Sequence, residues 1–267
     1  MLPLPLDKPL NQPSHTGEVE AGVSSDGGMP AASRKASDLL PVLLDRDQSI
    51  LAFNERVFDW AARADVPLLE RLRYLCIVSS NLDEFFEVRV APHVTAAKTG
   101  DTKGIYSPAS LESLSAAVHQ LVMRQYALYN DVLSPSFAAQ GIRIVPHGER
   151  SAVQRRWVQE YFQKEVRPLL IPVGLDPAHP FPQVANKTLN FIVRLRGPDA
   201  FGRENEVAIV KVPRSLPRLV RLPDKVTPTG MCFVSLSSIV RAHLDDLFPG
   251  REVTEFSQFR VTRHSDM

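Results

Sequence analysis

The chain has 267 residues, of which 44% are hydrophobic and 23% charged, and its formal net charge is +1. This composition is typical of a soluble globular protein of one large or two ordinary domains. No apolar run approaches the ~18 residues of a membrane span. Prolines interrupt the N-terminus where a signal peptide needs a continuous apolar core. Two cysteines are too few for a disulfide scaffold or a zinc site. We therefore expect a cytoplasmic protein without a transmembrane segment, which leaves peripheral membrane association open.

The charge is unevenly distributed. Residues 146–267 contain 18 Lys and Arg against 13 Asp and Glu, a net charge of +5, and the rest of the chain carries −4. A mildly basic C-terminal half suits a polyanionic partner, and ordinary surface variation is the alternative explanation. The dense basic clusters of nucleic-acid readers are absent from the sequence, so we expect no nucleic-acid partner.

The first part of the chain reads as a tail followed by helices. Residues 1–46 are rich in Pro, Ser and Gly and predict a disordered tail. After it, apolar residues fall on one helical face, with Asp47 or Ser49 as the cap: Ile50, Phe53, Val57, Trp60, Ala61 and Ala64. Pro67 fits the first turn of a second helix, and a fourth begins at Ser107-Pro108. Residues 47–145 therefore predict an all-helical domain.

The remainder, 146–267, predicts a mixed α+β domain. Ser151–Val166 is an amphipathic helix, and residues 235–248 return to helical spacing. Between and after them lie short β-branched or alternating runs that predict strands: 190–195, 207–212, 218–222, 231–234 and 256–262. The predicted fold is thus an all-helical domain followed by a mixed α+β head domain.

One stretch combines a predicted helix start with chemistry-bearing side chains, Ser80-Asn-Leu-Asp-Glu-Phe-Phe86. Ser79 and Ser80 favour a break in the second helix, with Asn81 as the N-cap of a third and Glu84 completing a capping box. A primary amide can also pair with a purine edge or a ribose. Because Asp83 and Glu84 oppose phosphate at a helix N-terminus, a nucleotide would meet Asn81 through its base or sugar.

Other candidates carry structural alternatives. Phe85 and Phe86 could stack on a base, although one core residue and one packing residue is the ordinary pattern. His179 lies between prolines without an obvious base, which favours a structural role over a nucleophile. Four arginines could hold phosphates or pair with Glu55, Glu70, Asp83, Glu84 or Glu87: Arg56, Arg71, Arg73 and Arg89. The sequence contains no glycine-rich phosphate loop, nucleophile elbow or closely spaced metal ligands, so we predict no catalytic and no metal-binding residue.

Five ordered blocks over residues 44–267 resemble the opening part of the bacterial polyphosphate kinases: Leu51–Val57, Pro67–Leu72, Ser80–Phe86, Asp176–Pro182 and Phe259–Arg263. Ile50 departs from the family, which usually has a tryptophan there. The resemblance implies a kinase that reversibly transfers the terminal phosphate of ATP to inorganic polyphosphate through a phosphohistidine outside this chain. It implies Mg²⁺ bound by ligands also outside this chain, and it places Asn81 on the adenine side of the ATP site.

The resemblance also implies that the head domain forms a dimer or a higher homo-oligomer. It places the family's catalytic half after the last block, and we expect this chain alone to lack kinase activity. The alternative is a non-catalytic module that binds nucleotide or polyphosphate, or that only dimerises. A downstream reading frame with a catalytic histidine would support the first interpretation, and a stop codon after Met267 the second.

Overall fold

The structure, a computed structural model, describes residues 45–100, 105–176, 178, 180–198, 202, 206–227 and 229–264. The predicted disordered tail therefore lies outside the described residues, apart from Asp45 and Arg46. The fold that follows confirms the predicted class, with helices first and a mixture of strands and helices after them.

In the residues that the structure describes, the helical region contains five α-helices and one π-helical segment. They are α1 (Arg46–Ala62), α2 (Leu68–Val88), α3 (Val90–Thr99), α4 (Pro108–Ala127), a π-helical segment (Leu128–Leu133) and α5 (Ser134–Ala139). Ser107 caps α4 through a reciprocal bond with Ser110, and Pro108 stands at its first position, as the sequence predicts. The chain leaves α5 at Gly141, whose φ of 76° favours glycine.

The predicted break at Ser79-Ser80 is wrong, because α2 continues through both serines to Val88. The Ser79 hydroxyl donates to the Leu75 carbonyl one turn earlier and accepts from the Gln125 side chain on α4. These bonds satisfy the polar group without ending the helix. The break falls instead at Arg89, because Pro92 lacks the N–H that would bond the Val88 carbonyl.

Among its described residues, the mixed region contains two small sheets and two α-helices. Its strands are β1 (Ile142–Ile144), β2 (Ile171–Gly174), β3 (Asn190–Arg196), β4 (Val207–Lys211), β5 (Leu219–Arg221), β6 (Met231–Ser235) and β7 (Glu252–Phe259). One sheet has the order β1-β6-β5, with β1 parallel to β6, and the other is antiparallel with the order β2-β4-β3-β7. The helices are α6 (Ala152–Tyr161) and α7 (Leu236–Arg241).

The buried apolar side chains form two clusters. One is built from helices α1 to α5 and includes Val78 and Leu121. The other joins α6, both sheets and α7, and includes Phe162 and Phe191. Residues 46–267 nevertheless form a single compact unit, and the division into domains at residue 146 stays a prediction.

Candidate functional site

Asn81 lies inside α2 and is not the predicted N-cap. Its side chain meets the amide of Asn54 on α1, where Asn81 Nδ2 donates to Asn54 Oδ1 at 3.0 Å. Asn54 is 2% exposed and donates its own Nδ2 to the Val78 carbonyl at 3.1 Å. Because the Val78 carbonyl can only accept, the nitrogen of the Asn54 amide faces it and the Asn54 oxygen is left to accept from Asn81, which sets the orientation of both amides.

The side-chain oxygen of Asn81, Oδ1, has no hydrogen-bond partner among the described residues, and the side chain is only partly buried. Ile77 precedes it by one turn on the same helix face and is 38% exposed. An acceptor beside an apolar side chain is a suitable combination for an aromatic ring with a polar edge. Because no helix begins at Asn81, there is no helix N-terminus to attract a phosphate there, and the predicted opposition of Asp83 and Glu84 to such an attraction does not arise.

Both Asp83 and Glu87, farther along α2, are ion-paired with the mixed region. Arg260 donates to the two Asp83 oxygens at 2.8 and 2.6 Å. Glu87 accepts from Lys187 at 2.5 Å and from the Asn186 amide at 2.6 Å. The Lys187 ammonium lowers the pKa of Glu87. We call this set, Asp83, Glu87, Asn186, Lys187 and Arg260, the α2 junction.

Asn186 connects the loop before β3 to the segment after β7. Its Oδ1 accepts from the Arg263 backbone N–H at 2.9 Å, and its backbone carbonyl accepts from Arg214. Lys187, at a positive φ of 55°, donates its N–H to the Val261 carbonyl at 2.8 Å. Two sequence blocks thus meet at the α2 junction, the Asn81 block through Asp83 and the Phe259–Arg263 block through Arg260 and Arg263. The Leu51–Val57 block contacts the Asn81 block separately, through Asn54.

A second polar group, buried between helices, was not predicted as a unit. Asp47 accepts from Arg89 Nε at 2.7 Å and pairs with His93 Nε2 at 3.0 Å, and His93 Nδ1 lies 2.7 Å from Ser110 Oγ. We call Asp47, Arg89, His93 and Ser110 the Asp47 network. Its Ser–His–Asp order resembles a nucleophile triad. However, Ser110 Oγ also bonds the Ser107 backbone in the cap of α4, so the network reads as structural.

The arginines predicted to pair with nearby carboxylates behave differently from one another. Arg73 does pair with Glu70, at 3.6 Å. Arg89 finds Asp47 instead, and the buried Arg71 donates to the carbonyls of Ala61 and Ala62. Arg56 lies over the Phe53 ring. The aromatic pair follows the ordinary pattern, with Phe85 3% exposed in the core and Phe86 42% exposed.

No catalytic constellation is found in the part of the chain that the structure describes. His179 lies outside the described residues. Among those described, no group of three His, Cys, Asp or Glu side chains could hold a metal ion. No described helix is long and apolar enough to cross a bilayer.

Two domain models of known proteins match consecutive parts of this chain. Residues 43–145 match the model of the polyphosphate kinase N-terminal domain, and residues 153–267 match that of the polyphosphate kinase middle domain. The helical region therefore corresponds to the N-terminal domain of that family and the mixed region to its middle domain. The chain belongs to the polyphosphate kinase family.

Relatives and a solved structure agree with this assignment. The chain is 48% identical over 229 residues to the polyphosphate kinase of Neisseria meningitidis serogroup B, a match that spans 84% of this chain and 33% of the relative. It is 44% identical over 253 residues to that of Pseudomonas syringae pv. tomato, spanning 93% and 34%. The crystal structure of Porphyromonas gingivalis polyphosphate kinase matches with a TM-score of 0.72 and 31% identity, over 84% of this chain and 33% of that one. The chain thus spans about a third of the length of these proteins.

Proposed function

We propose that this chain forms the N-terminal part of an enzyme that reversibly transfers the terminal phosphate of ATP to inorganic polyphosphate, and that Asn81 contacts the adenine base. The family assignment supports the reaction, since its relatives are named polyphosphate kinases. The orientation of the Asn81 amide carries the assignment of the site. Its N–H side is bound to Asn54, and its oxygen is available to an external donor.

Adenine offers such a donor in its exocyclic amine, which would bond Asn81 Oδ1 while Ile77 packs against the ring. The ground for preferring the base over the triphosphate is charge. Asp83, Glu84 and Glu87 follow Asn81 on the same helix, and the cations Arg260 and Lys187 are already paired with two of these carboxylates. We therefore propose that the triphosphate of ATP points away from α2.

The remaining chemistry belongs, in this proposal, to the two thirds of the relatives that this chain does not span. Phosphoryl transfer requires a positioned acceptor together with Mg²⁺ and several cationic side chains around the γ-phosphate. The histidine that accepts the phosphate and the Mg²⁺ ligands are assigned there. This chain would supply a wall of the nucleotide site and hold it in place through the α2 junction.

The test is nucleotide affinity in the full-length protein that carries this sequence. Asn81→Ala removes a neutral hydrogen bond worth ~0.5–1.5 kcal/mol, so ATP affinity should fall roughly two- to twelvefold. Asn81→Asp should weaken it further, because a carboxylate repels the Asn54 carbonyl oxygen and the nucleotide charge. Asn130→Ala, which truncates an exposed asparagine between α4 and α5, is the matched control. Equal affinity in all three variants and the wild type would exclude Asn81 from the site.

Self-association of the mixed region stays a prediction, and one feature favours it. β7 is an eight-residue strand at the edge of its sheet, and its Phe256 is 40% exposed. An open edge with an apolar side chain is a surface on which a second strand can pair. Sedimentation at increasing concentration should show a dimer, and Phe256→Lys should weaken it. A strict monomer at high concentration would remove this proposal and leave the family assignment intact.

A further inference from the structure

A basic cavity lies beside the start of α6 and the turn after α7. Its volume is about 400 Å³, within the range of roughly 300–1,000 Å³ that is usual for small-molecule pockets. Five of its lining residues carry cationic or protonatable side chains, and none carries a carboxylate: His147, Arg150, Arg155, Arg156 and His243. We call these five the basic cavity. It shares no residue with Asn81 or the α2 junction.

Arg150 is the central observation. It is 2% exposed, and its guanidinium contacts the Ser238 hydroxyl and, at 3.5 Å, His147 Nδ1. Its buried Nε has no hydrogen-bond partner, and no carboxylate pairs with it among the described residues. Burial lowers the pKa of Arg150. A buried cation without a counter-charge is strongly unfavourable, which leaves this site deficient in negative charge.

The neighbouring groups add positive charge and do not compensate it. Arg155 donates to the Arg150 carbonyl at 2.6 Å, which holds its side chain at the cavity, and Arg156 is exposed. Neither has a carboxylate partner in the described part of the chain. Ala152, the first residue of the ten-residue α6, also lines the cavity, so the positive end of the helix dipole is close by.

His243 also lines the basic cavity, and its surroundings show the same excess of positive charge. Burial lowers its pKa, the charges of Arg150 and His147 lower it further, and Asp246 at 3.3 Å opposes them. Asp246 does not line the cavity and is also bonded to Gln163. One half-exposed carboxylate thus faces His243 from outside, and the guanidinium of Arg150 remains uncompensated.

We infer that the basic cavity binds an oligophosphate group. Several cations around one space favour a ligand with several negative charges, and the planar guanidinium fork matches phosphate oxygens. The group could come from condensed inorganic phosphate or from the triphosphate of a nucleotide, and the two share the chemistry that the cavity recognises. The inference rests on Arg150 and its surroundings, and it holds whether or not Asn81 binds adenine.

Calorimetric titration of the 267-residue chain with inorganic tripolyphosphate tests this inference, with ATP and orthophosphate as parallel arms. Tripolyphosphate should bind with a stoichiometry of one and more tightly than orthophosphate. ATP binding that is lost in the cavity variants but kept in Asn81→Ala would identify a nucleotide triphosphate as a second source. Tripolyphosphate binding without such ATP binding would identify condensed phosphate as the ligand.

Variants of the two outer arginines keep the test independent of folding. Arg155→Gln and Arg156→Gln should each lower tripolyphosphate affinity roughly three- to tenfold, and the double variant should lower it further. Arg194→Gln, which removes the same charge from an exposed arginine on β3, should leave it within about twofold. Arg150→Met should abolish binding, with circular dichroism as the check on its fold.

Three results would overturn the inference. The first is no tripolyphosphate binding by the wild-type chain at millimolar concentration. The second is equal losses of affinity in Arg156→Gln and Arg194→Gln, which would reflect net charge alone. The third is loss of self-association in Arg156→Gln without any phosphate binding, which would mean that an acidic side chain of a second copy fills the cavity.

Discussion

Asp47 and Arg150 are equally buried charges in opposite situations. Asp47, 4% exposed, holds Arg89 with one oxygen and His93 with the other. Arg150, 2% exposed, contacts a hydroxyl and, at 3.5 Å, an imidazole, but no carboxylate in the part of the chain that the structure describes. Asp47 thus ties α1 to the chain around α3, whereas Arg150 in the mixed region has no counter-charge among the described residues. The two charges are buried alike, and what distinguishes the structural network from the candidate binding site is that only Asp47 is paired with side chains of opposite charge.

The largest effect should follow from breaking the Asp47 network. Asp47→Ala leaves Arg89 and His93 without their acceptor, and removing one partner of a buried pair typically lowers stability by ~3–5 kcal/mol. Urea denaturation of the purified chain measures the change. A loss below about 1 kcal/mol, the value of a surface pair, would show that the network contributes little.

Arg150→Met should behave in the opposite way. In phosphate-free buffer it removes a buried cation that no described carboxylate neutralises, and a hydrophobic replacement of a buried charge is often neutral or stabilising. We expect a free energy of unfolding within about 1 kcal/mol of the wild type, or above it. A loss as large as that of Asp47→Ala would mean that Arg150 is a structural residue and would erase the contrast.

Low pH should lower the stability of the protein through the Asp47 network. Burial raises the pKa of Asp47, but the hydrogen bonds from His93 and Arg89 outweigh it and lower the pKa below the usual 3.8. A carboxyl with a depressed pKa contributes stability above its unfolded value and loses it as the pH falls through the folded pKa. The wild type should therefore lose stability below about pH 4 more steeply than Asp47→Asn, in urea titrations at successive pH values.

The α2 junction should show the smallest effect. Arg260 and Asp83 are 41% and 24% exposed, so water screens their pair. A double-mutant cycle with Arg260→Gln and Asp83→Asn should give a coupling of ~0.2–1 kcal/mol. A coupling of several kcal/mol would place this pair with the Asp47 network instead.

The elements that were predicted correctly are those whose own periodicity determines them. The runs that became β3 to β6 follow alternation or β-branching, and α4 begins at its predicted cap. The final strand was placed too late, since β7 begins at Glu252. β1 and β2 were missed because they are short and because β2 contains Pro172, which an edge strand tolerates.

The errors near the candidate sites have tertiary causes. Ser79 stays helical because Gln125, 46 residues away, bonds its hydroxyl, and Asn81 is oriented by Asn54 from another helix. Family resemblance selected Asn81, but no local pattern could give its orientation. No sequence pattern pointed to Arg150, because its lack of a counter-charge depends on which carboxylates lie near it in the folded chain.

Base discrimination tests the central proposal most directly. Inosine triphosphate carries a carbonyl where ATP has its exocyclic amine, so it cannot donate to Asn81 Oδ1. In the full-length protein, kcat/KM for ATP should exceed that for inosine triphosphate, and Asn81→Ala should lower the ATP value roughly two- to twelvefold and leave the inosine value unchanged. An ATP preference of the same size in Asn81→Ala and the wild type would contradict the assignment of Asn81 to the adenine site.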